Sequence, residues 1–168
     1  YAMGFDHNKD NLKIASERYP NIEFKFIDLN VLNTTDKKFK FITCFETLEH
    51  VGNLENAITN LINLIDNRGT LLISVPEETG LIGLIKFLAK TIVYSYNLKE
   101  LDDSKSAYIK YLFTLLSGKS ISKFRSNRSG YGTHFGFDHK CIDRILYNAN
   151  LNFKKIAKSA SIFYIINK

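Results

Sequence analysis

Cysteine is scarce in this sequence, and long uncharged apolar runs, internal repeats and linkers are missing from it. The two cysteines, Cys44 and Cys141, are far apart and in no metal-ligand spacing, which argues against a disulfide scaffold and a zinc site. No basic segment followed by an apolar run and a cleavage site is visible, so we expect no signal peptide and a reducing, cytoplasmic setting. The most apolar stretch, residues 81–93, contains Lys86 and Lys90 and is shorter than the roughly 20 apolar residues of a membrane span.

The composition is that of a soluble globular protein, with 168 residues, of which 45% are hydrophobic and 24% charged. This length can bury a real core, so residues 1–168 are predicted to form a single domain. Residues 1–75 hold 8 Lys/Arg against 10 Asp/Glu, whereas residues 76–168 hold 15 against 7. The basic second part predicts either an anionic partner or a solvated basic surface, and the sequence gives no strong nucleic-acid signal.

The apolar pattern alternates between strands and helices in the order of a parallel α/β sheet. A first helix begins after Asn8, a favourable N-cap, and stops at Pro20. The predicted strands cover residues 1–6, 22–27, 39–45, 70–75, 153–157 and 162–166, and the predicted helices cover 54–66, 81–93, 108–116 and a segment capped by Asp138. The last two strands form a hairpin, residues 67–69 form a turn, and residues 77–133 form a helical lid or insert.

Acidic side chains follow three of these strands at the point where each strand ends. Asp6 and Asp28 follow the first two strands, and Glu46 follows the third. Ligands of open α/β sheets bind outside the carboxyl ends of the strands, so these residues predict a binding site. Glu49 and His50 lie just beyond Glu46 and are candidates for acid–base chemistry. The alternative is that the two glutamates are solvated loop residues and His50 is a packed histidine.

Residues 39–51, with the sequence FKFITCFETLEHV, resemble the fourth-strand motif of class I S-adenosylmethionine-dependent methyltransferases. They are most similar to the branch of the ubiquinone-biosynthesis O-methyltransferases, whose signature is F-D-x-[IV]-x-[CS]-x-E-x-[LI]-E-H-[VI]. Lys40 stands where that signature has Asp. GFDHN at 4–8 resembles the family's G-[VI]-D-x-[SN], and HFGFD at 134–138 resembles members of the same branch. The resemblance covers residues 1–76 and 134–168.

The resemblance implies a Rossmann-like three-layer sandwich with a mostly parallel sheet and an antiparallel C-terminal hairpin. It also implies S-adenosyl-L-methionine as the cofactor and methyl transfer to a small-molecule, lipid-linked or glycan acceptor. The implied cofactor contacts are Asp6 with the ribose, His7 with the adenine face, Asp28 with the adenine amino group, the Leu29 N–H with the ring edge and the Cys44 carbonyl with the methionine amino group. His50 or Glu49 would act as a general base for a hydroxyl acceptor, unless His50 only shapes the pocket.

A further set of residues is predicted to contact the acceptor, namely Glu46, Lys119, Arg125, Arg128 and His134. Residues 117–130 contain four Lys/Arg and no acid, so we expect an anionic acceptor, either a small molecule or lipid-linked. The segment 81–93 is interpreted as a lid over the substrate, as a helix docked on the core, or as a peripheral membrane contact.

The family's glycine loop, D-x-G-x-G-x-G on the first strand–helix unit, is missing from this sequence. In the family that strand lies at the centre of the sheet, so we expect a gap between the strands that end at Asp6 and Phe45. The chain begins with Tyr1 and not with Met, which fits a processed or trimmed piece. An inactive fragment or a non-catalytic Rossmann-like binding module is therefore the alternative function.

A nucleotide-cofactor oxidoreductase is the rival enzyme class, because it also places Asp after neighbouring strands. It would need Tyr-x-x-x-Lys on a helix. Only Tyr164 to Lys168 has that spacing, and it falls on a predicted strand. The sequence leaves the acceptor and the oligomeric state open.

Overall fold

A computed structural model of the protein describes residues 1–32, 37–94, 105–125 and 135–168. The first part contains β1 (Met3–Asp6), α1 (Lys9–Arg18) and β2 (Glu23–Phe26). The middle part contains β3 (Phe39–Phe45), a 3₁₀ turn (Leu48–His50), α2 (Leu54–Leu64) and β4 (Ile65–Pro76). The remainder contains α3 (Gly80–Tyr94), α4 (Lys105–Leu116), a 3₁₀ turn (Ser122–Phe124), α5 (Lys140–Asn148), β5 (Phe153–Lys158) and β6 (Ser161–Asn167).

Short polar side chains mark the starts of the helices, because they accept hydrogen bonds from N–H groups that have no partner within the helix. The Asn8 side chain accepts from the Asp10 and Asn11 N–H groups at 2.8 and 3.3 Å. Asp138 Oδ1 accepts from the Lys140 N–H at 3.0 Å. The predicted cap at Asn8 is therefore confirmed, whereas the N-cap residue of α5 is His139, so Asp138 lies one residue before the cap position.

The described strands form two separate sheets. β1 and β2 pair in parallel, and a second sheet has the order β3-β4-β6-β5. In that sheet β3 and β4 are parallel, whereas β6 is antiparallel to both β4 and β5. The C-terminal hairpin is thus confirmed, but the mostly parallel single sheet is not, since the four-stranded sheet is mixed. The strands form two sheets and not one because no described strand lies between β1 and β3 and hydrogen-bonds to both.

The core is built on the four-stranded sheet. Side chains at 0% exposure come from α2 (Ile58), β4 (Leu71, Ile73), α5 (Leu146) and β6 (Tyr164). A second buried cluster joins four residues of the insert, Phe87, Tyr111, Leu115 and Ile121, to Phe135, which follows the insert. By contrast, none of residues 1–32 is buried.

The predicted turn at residues 67–69 lies inside β4. α2 ends at Leu64, and β4 begins with Ile65, which pairs with Phe39. The register with β3 then shifts, and Arg68 adopts a φ of 64° in the left-handed region. The turn is therefore a bulge in a continuous strand, because its flanks keep their hydrogen bonds to neighbouring strands.

α3 turns its two lysines inward. Lys86 and Lys90 lie 3.6 and 3.4 Å from Glu78 Oε1, and Lys86 also donates to the Ala160 carbonyl at 3.0 Å. A Cβ on Gly83 would lie 2.1 Å from the Glu78 carbonyl oxygen, so glycine allows this close approach. The predicted polar face of this helix thus packs towards Glu78, and its two lysines are half-buried. Within the described residues, every helix is too short or too polar to cross a bilayer.

Candidate active site

A cleft of about 710 Å³ extends between β1 and β3 and reaches the residues that follow β2. Three residues in its lining carry a carboxylate, namely Asp6, Asp28 and Glu46. Two more are histidines, His7 and His50. None of the described residues that line the cleft is Lys or Arg. The cleft is therefore acidic and favours a ligand that carries positive charge.

Asp6 is held in place by the loop that follows β1. Its Oδ1 accepts from the Asn8 N–H at 2.8 Å, and its Oδ2 accepts from Asn11 Nδ2 at 3.2 Å. Because a carboxylate has about four acceptor positions, Asp6 retains acceptor capacity for a ligand. His7 Nδ1 lies 3.6 Å from Asp6 Oδ1. Both residues line the cleft, and their contacts with a ribose and an adenine remain predictions.

Asp28 and Leu29 bring the segment after β2 to the same cleft. Asp28 Oδ1 accepts from both the backbone N–H and the Nδ2 of Asn30, each at 2.9 Å. These bonds fold the chain back immediately after the strand. Leu29 packs against the core of the four-stranded sheet. The structure thus places the two predicted adenine contacts, Asp28 and Leu29, on the same cleft as Asp6.

Asparagines that the sequence reasoning did not single out fasten this segment to α2. The Asn30 side chain accepts from two N–H groups just before α2, at 2.7 and 2.9 Å, and Asn56 donates to the Asn30 carbonyl at 2.7 Å. Asn60, 2% exposed, donates to the carbonyls of Leu29 and Val31 at 3.2 and 2.8 Å. In the sequence, an amide on the otherwise apolar face of a helix is the signal that could have identified Asn60, because a buried amide needs hydrogen-bond partners.

Glu46 ties the end of β3 to the end of β4. Its N–H donates to the Ser74 carbonyl at 3.0 Å, and Ser74 Oγ donates to Glu46 Oε1 at 2.9 Å. Its φ of 45° lies in the left-handed region, which costs a non-glycine residue about 1–2 kcal/mol. The paired hydrogen bonds offset this cost and fix the Glu46 carboxylate in the cleft lining.

Cys44 lies two residues earlier, in β3, and is buried. Burial raises the pKa of its thiol to about 11. The thiol is therefore protonated at neutral pH and is a poor nucleophile. It is therefore not the group that would act in the cleft. The predicted contact of the Cys44 backbone carbonyl with the methionine amino group remains a prediction.

Glu49 and His50 share one 3₁₀ turn but have different surroundings. The Glu49 side chain is 0% exposed, and among the described residues neither carboxylate oxygen has a hydrogen-bond partner. The His50 side chain is 54% exposed and lines the cleft, with Nε2 at 3.9 Å from Glu49 Oε1. Burial raises the pKa of Glu49 to about 7, helped by the Glu46 carboxylate and opposed by the nearby Glu49 backbone N–H and by Arg125. Glu49 can therefore change its charge near neutral pH.

Arg125 fixes this turn from the side of the insert. Its guanidinium donates to the carbonyls of Glu49 and Val51, both at 2.8 Å, and lies 5.2 Å from the centre of the Phe137 ring. Gly136, with a φ of 75°, allows the two backbones to meet, since a Cβ there would lie 2.5 Å from the Arg125 nitrogen. Arg125 is thus a positioning residue for the turn that carries Glu49. Its predicted contact with the acceptor remains a prediction.

The other predicted acceptor residues are not brought to the cleft. Lys119 is exposed after α4 and is not part of the cleft lining. Arg128 and His134 lie outside the described residues. Among the described residues, Glu46 is the one predicted acceptor contact that lines the cleft.

The cleft is surrounded by parallel strands that have carboxylates at their carboxyl ends. This arrangement is typical of α/β domains that bind a nucleotide cofactor. A family model described as a methyltransferase domain matches residues 2–151. The chain therefore belongs to this methyltransferase family, which confirms the family predicted from the sequence. The ubiquinone-biosynthesis branch remains a prediction.

The relatives and structural neighbours agree with this family. A protein of Invertebrate iridescent virus 6, provisionally named methyltransferase 235L, is 29% identical over 90 residues, which cover 53% of this chain and 34% of that protein. The chain thus spans about a third of the length of this curated relative. The N-methyltransferase NodS of Bradyrhizobium japonicum WM9, solved with S-adenosyl-L-homocysteine, is 13% identical with a TM-score of 0.54, and the match covers 99% of this chain and 65% of NodS.

A third neighbour bears on the rival enzyme class. A Rhodobacter sphaeroides protein, provisionally described as a zinc-dependent alcohol dehydrogenase, is 15% identical with a TM-score of 0.60, covering 99% of this chain and 75% of that one. At these identities the solved structures show a shared fold alone. Tyr164 is 0% exposed on β6, and its hydroxyl donates to the His139 carbonyl and to Asp143 Oδ1 at 3.0 and 2.7 Å. Tyr164 is thus a core residue outside the cleft lining, which argues against the oxidoreductase alternative.

Proposed function

We propose that the protein is an S-adenosylmethionine-dependent methyltransferase whose cofactor lies at the mouth of the cleft, where β1, β2 and β3 have their carboxyl ends. The observation that carries this proposal is the set of three strand-end carboxylates in a cleft with no Lys or Arg among its described lining residues. The sulfonium and ammonium charges of the cofactor match such an acidic cleft. Membership of the methyltransferase family and the S-adenosyl-L-homocysteine held by NodS support the choice of cofactor.

The residues present fit the adenosine half of this cofactor. Asp6 would accept hydrogen bonds from the ribose hydroxyls, and Asp28 from the adenine amino group. His7 would cover the adenine ring, and the Leu29 N–H would bind its edge. The Cys44 carbonyl would accept from the ammonium group. All five residues line one cleft, which is what simultaneous contact with one ligand requires.

When bound, S-adenosylmethionine supplies an activated methyl group on its sulfonium sulfur. The chain's own residues position the acceptor and remove its proton. His50, which is exposed on the cleft, would take the proton of an acceptor hydroxyl on a ring nitrogen and release it to solvent. Ionised Glu49, 3.9 Å behind His50, would stabilise the resulting imidazolium. Arg125 keeps the turn that carries both residues in register with the cleft.

The proposal includes a β-strand that hydrogen-bonds between β1 and β3 and completes the sheet. β1 pairs only with β2 and β3 only with β4 among the described strands, so each has one open edge. Open edges present unpaired N–H and C=O groups. Phe5, Phe41 and Phe45 on the two strands are 38, 61 and 49% exposed, which is high for strands flanking the centre of a sheet. A strand in this position would cover these side chains and satisfy both edges.

The acceptor is proposed to be an anionic small molecule, lipid-linked compound or glycan. The support is the basic charge of residues 117–125, which contain Lys119, Lys123 and Arg125 and no acid. Since Lys119 lies away from the cleft, this charge would attract the acceptor from a distance, and turnover should fall as salt rises.

Asp6→Ala is expected to weaken S-adenosyl-L-homocysteine binding by about 2–4 kcal/mol, because two charge-assisted hydrogen bonds are lost. The measurement is calorimetric titration of a chain that also supplies the strand between β1 and β3. Asp10→Ala is the matched control, since Asp10 lies on the first turn of α1 and outside the cleft lining. An unchanged dissociation constant in Asp6→Ala would contradict the proposed cofactor site.

A further inference from the structure

The exposed large side chains of α3 are aliphatic, whereas its two lysines are only 24 and 33% exposed. Its exposed large residues are Leu81, Ile82, Ile85, Leu88 and Ile92, at 69, 39, 60, 41 and 81%. Four of them follow the spacing i, i+4, i+7, i+11 from Leu81, so they lie on one face of the helix. The lysines of α3 add no charge to this face, because both contact Glu78 on the inward side. The helix is therefore apolar on its outer side and charged on its inner side.

α4 packs against α3 and also exposes large apolar side chains, together with Lys110. The Phe87 ring of α3 lies 5.2 and 5.0 Å from the rings of Tyr108 and Tyr111 of α4, measured between centroids. On α4 the exposed apolar residues are Ile109, Phe113 and Leu116, at 52, 68 and 64%, with the spacing i, i+4, i+7. The α3–α4 pair thus exposes eight large apolar side chains, although its inner sides share a buried aromatic cluster.

The charge of the pair and of the segment after it has one sign. Residues 79–94 and 105–125 contain seven Lys/Arg and no Asp/Glu. Lys110, Lys119 and Lys123 are exposed. The insert has five acids: Glu77 and Glu78 precede α3, where Glu78 contacts both α3 lysines, and Glu100, Asp102 and Asp103 fall in residues 95–104, outside the described part of the chain. The partner of this surface should therefore be both apolar and anionic.

We propose that the α3–α4 pair binds the surface of an anionic lipid bilayer. The aliphatic side chains would enter the boundary between headgroups and acyl chains, and the lysines would remain among the anionic headgroups. A helix of 15 residues such as α3 is about 22 Å long and would lie in the plane of the interface. A second copy is the less favourable occupant, since a two-fold contact would place the same cationic residues opposite one another.

The test is sedimentation of the 168-residue chain with vesicles of phosphatidylcholine, with and without phosphatidylglycerol. We expect binding only to the vesicles that contain phosphatidylglycerol, and we expect it to weaken as salt rises. Ile85→Glu should lower the partition coefficient about tenfold, because a side chain that enters the apolar layer becomes charged. Ile14→Glu on α1 is the matched control: Ile14 is 62% exposed, compared with 60% for Ile85, and the chemical change is the same.

Circular dichroism melts of both variants check that they fold. The proposal is overturned if phosphatidylglycerol vesicles bind no protein, if Ile85→Glu binds as well as the parent chain, or if Ile14→Glu loses binding equally. It is also overturned if the chain self-associates without vesicles and Ile85→Glu abolishes that association, because a second copy would then cover the surface.

Discussion

A chain that supplies a β-strand between β1 and β3 is expected to bind S-adenosylmethionine about a thousandfold more tightly than residues 1–168 alone, a difference of about 4 kcal/mol. The described residues contact only the adenosine half and the ammonium group in the proposed site. A strand–loop–helix unit would add backbone N–H groups for the carboxylate end. It would also hold β1 and β3 at a fixed spacing, so that less ordering is required when the cofactor binds.

The measurement is a titration of both chains with S-adenosylmethionine, the longer one carrying an N-terminal strand, glycine loop and helix. The matched control is the same extension with prolines at alternate strand positions, which removes N–H donors from the ladder. Micromolar binding by residues 1–168 alone would show that the cleft is complete without the strand. Equal binding by the proline control would show that hydrogen bonding to β1 and β3 is not what matters.

Glu49→Gln is expected to stabilise the protein above pH 7 by about 2–3 kcal/mol and to leave its stability unchanged below the usual glutamate pKa. The pKa of Glu49 rises from 4.5 to about 7 in the folded protein. The folded state therefore binds more protons than the unfolded state between these two values. Stability from this group is fully present below pH 4.5 and is lost as the pH rises towards 7. Glutamine cannot ionise, so it avoids the cost of burying a carboxylate that has no hydrogen-bond partner in the described part of the chain.

Denaturant unfolding of the parent chain and of Glu49→Gln at pH 4 to pH 8 gives the measurement. Glu55→Gln on α2 is the control, because Glu55 is exposed. Its stability difference from the parent should stay near zero at every pH. A Glu49→Gln variant that is less stable than the parent above pH 7 would show that the ionised carboxylate has a partner in solution.

The sequence predicted those features that depend on residues close to one another in the chain. The cap at Asn8 and the C-terminal hairpin depend on residues close in sequence. The places of Asp6 and Asp28 follow from the rule that strands of one direction end at one edge of a sheet. The family motif at residues 39–51 then supplied the identity that pattern alone could not.

The sequence did not predict which side chains contact residues that are distant in the chain. Periodicity showed that Lys86 and Lys90 share a face of α3, but the partner that turns this face inward is Glu78, on the preceding loop. Likewise, Arg125 was predicted to contact an acceptor, yet it donates to two carbonyls more than 70 residues earlier in the chain. A basic side chain has the same sequence signal in either role, so only the fold distinguishes them.

The lack of any buried residue in residues 1–32 has a consequence for hydrogen exchange. β4 is hydrogen-bonded to neighbours on both sides, so its amides should exchange only when the whole protein unfolds. The β1–α1–β2 unit should exchange through a separate, low-energy opening, because little apolar surface is lost when it opens. Asp6 and Asp28 lie on or beside that unit, so a ligand that bridges them would slow its exchange through mass action. Half of the proposed cofactor site would then open less often once the site is filled.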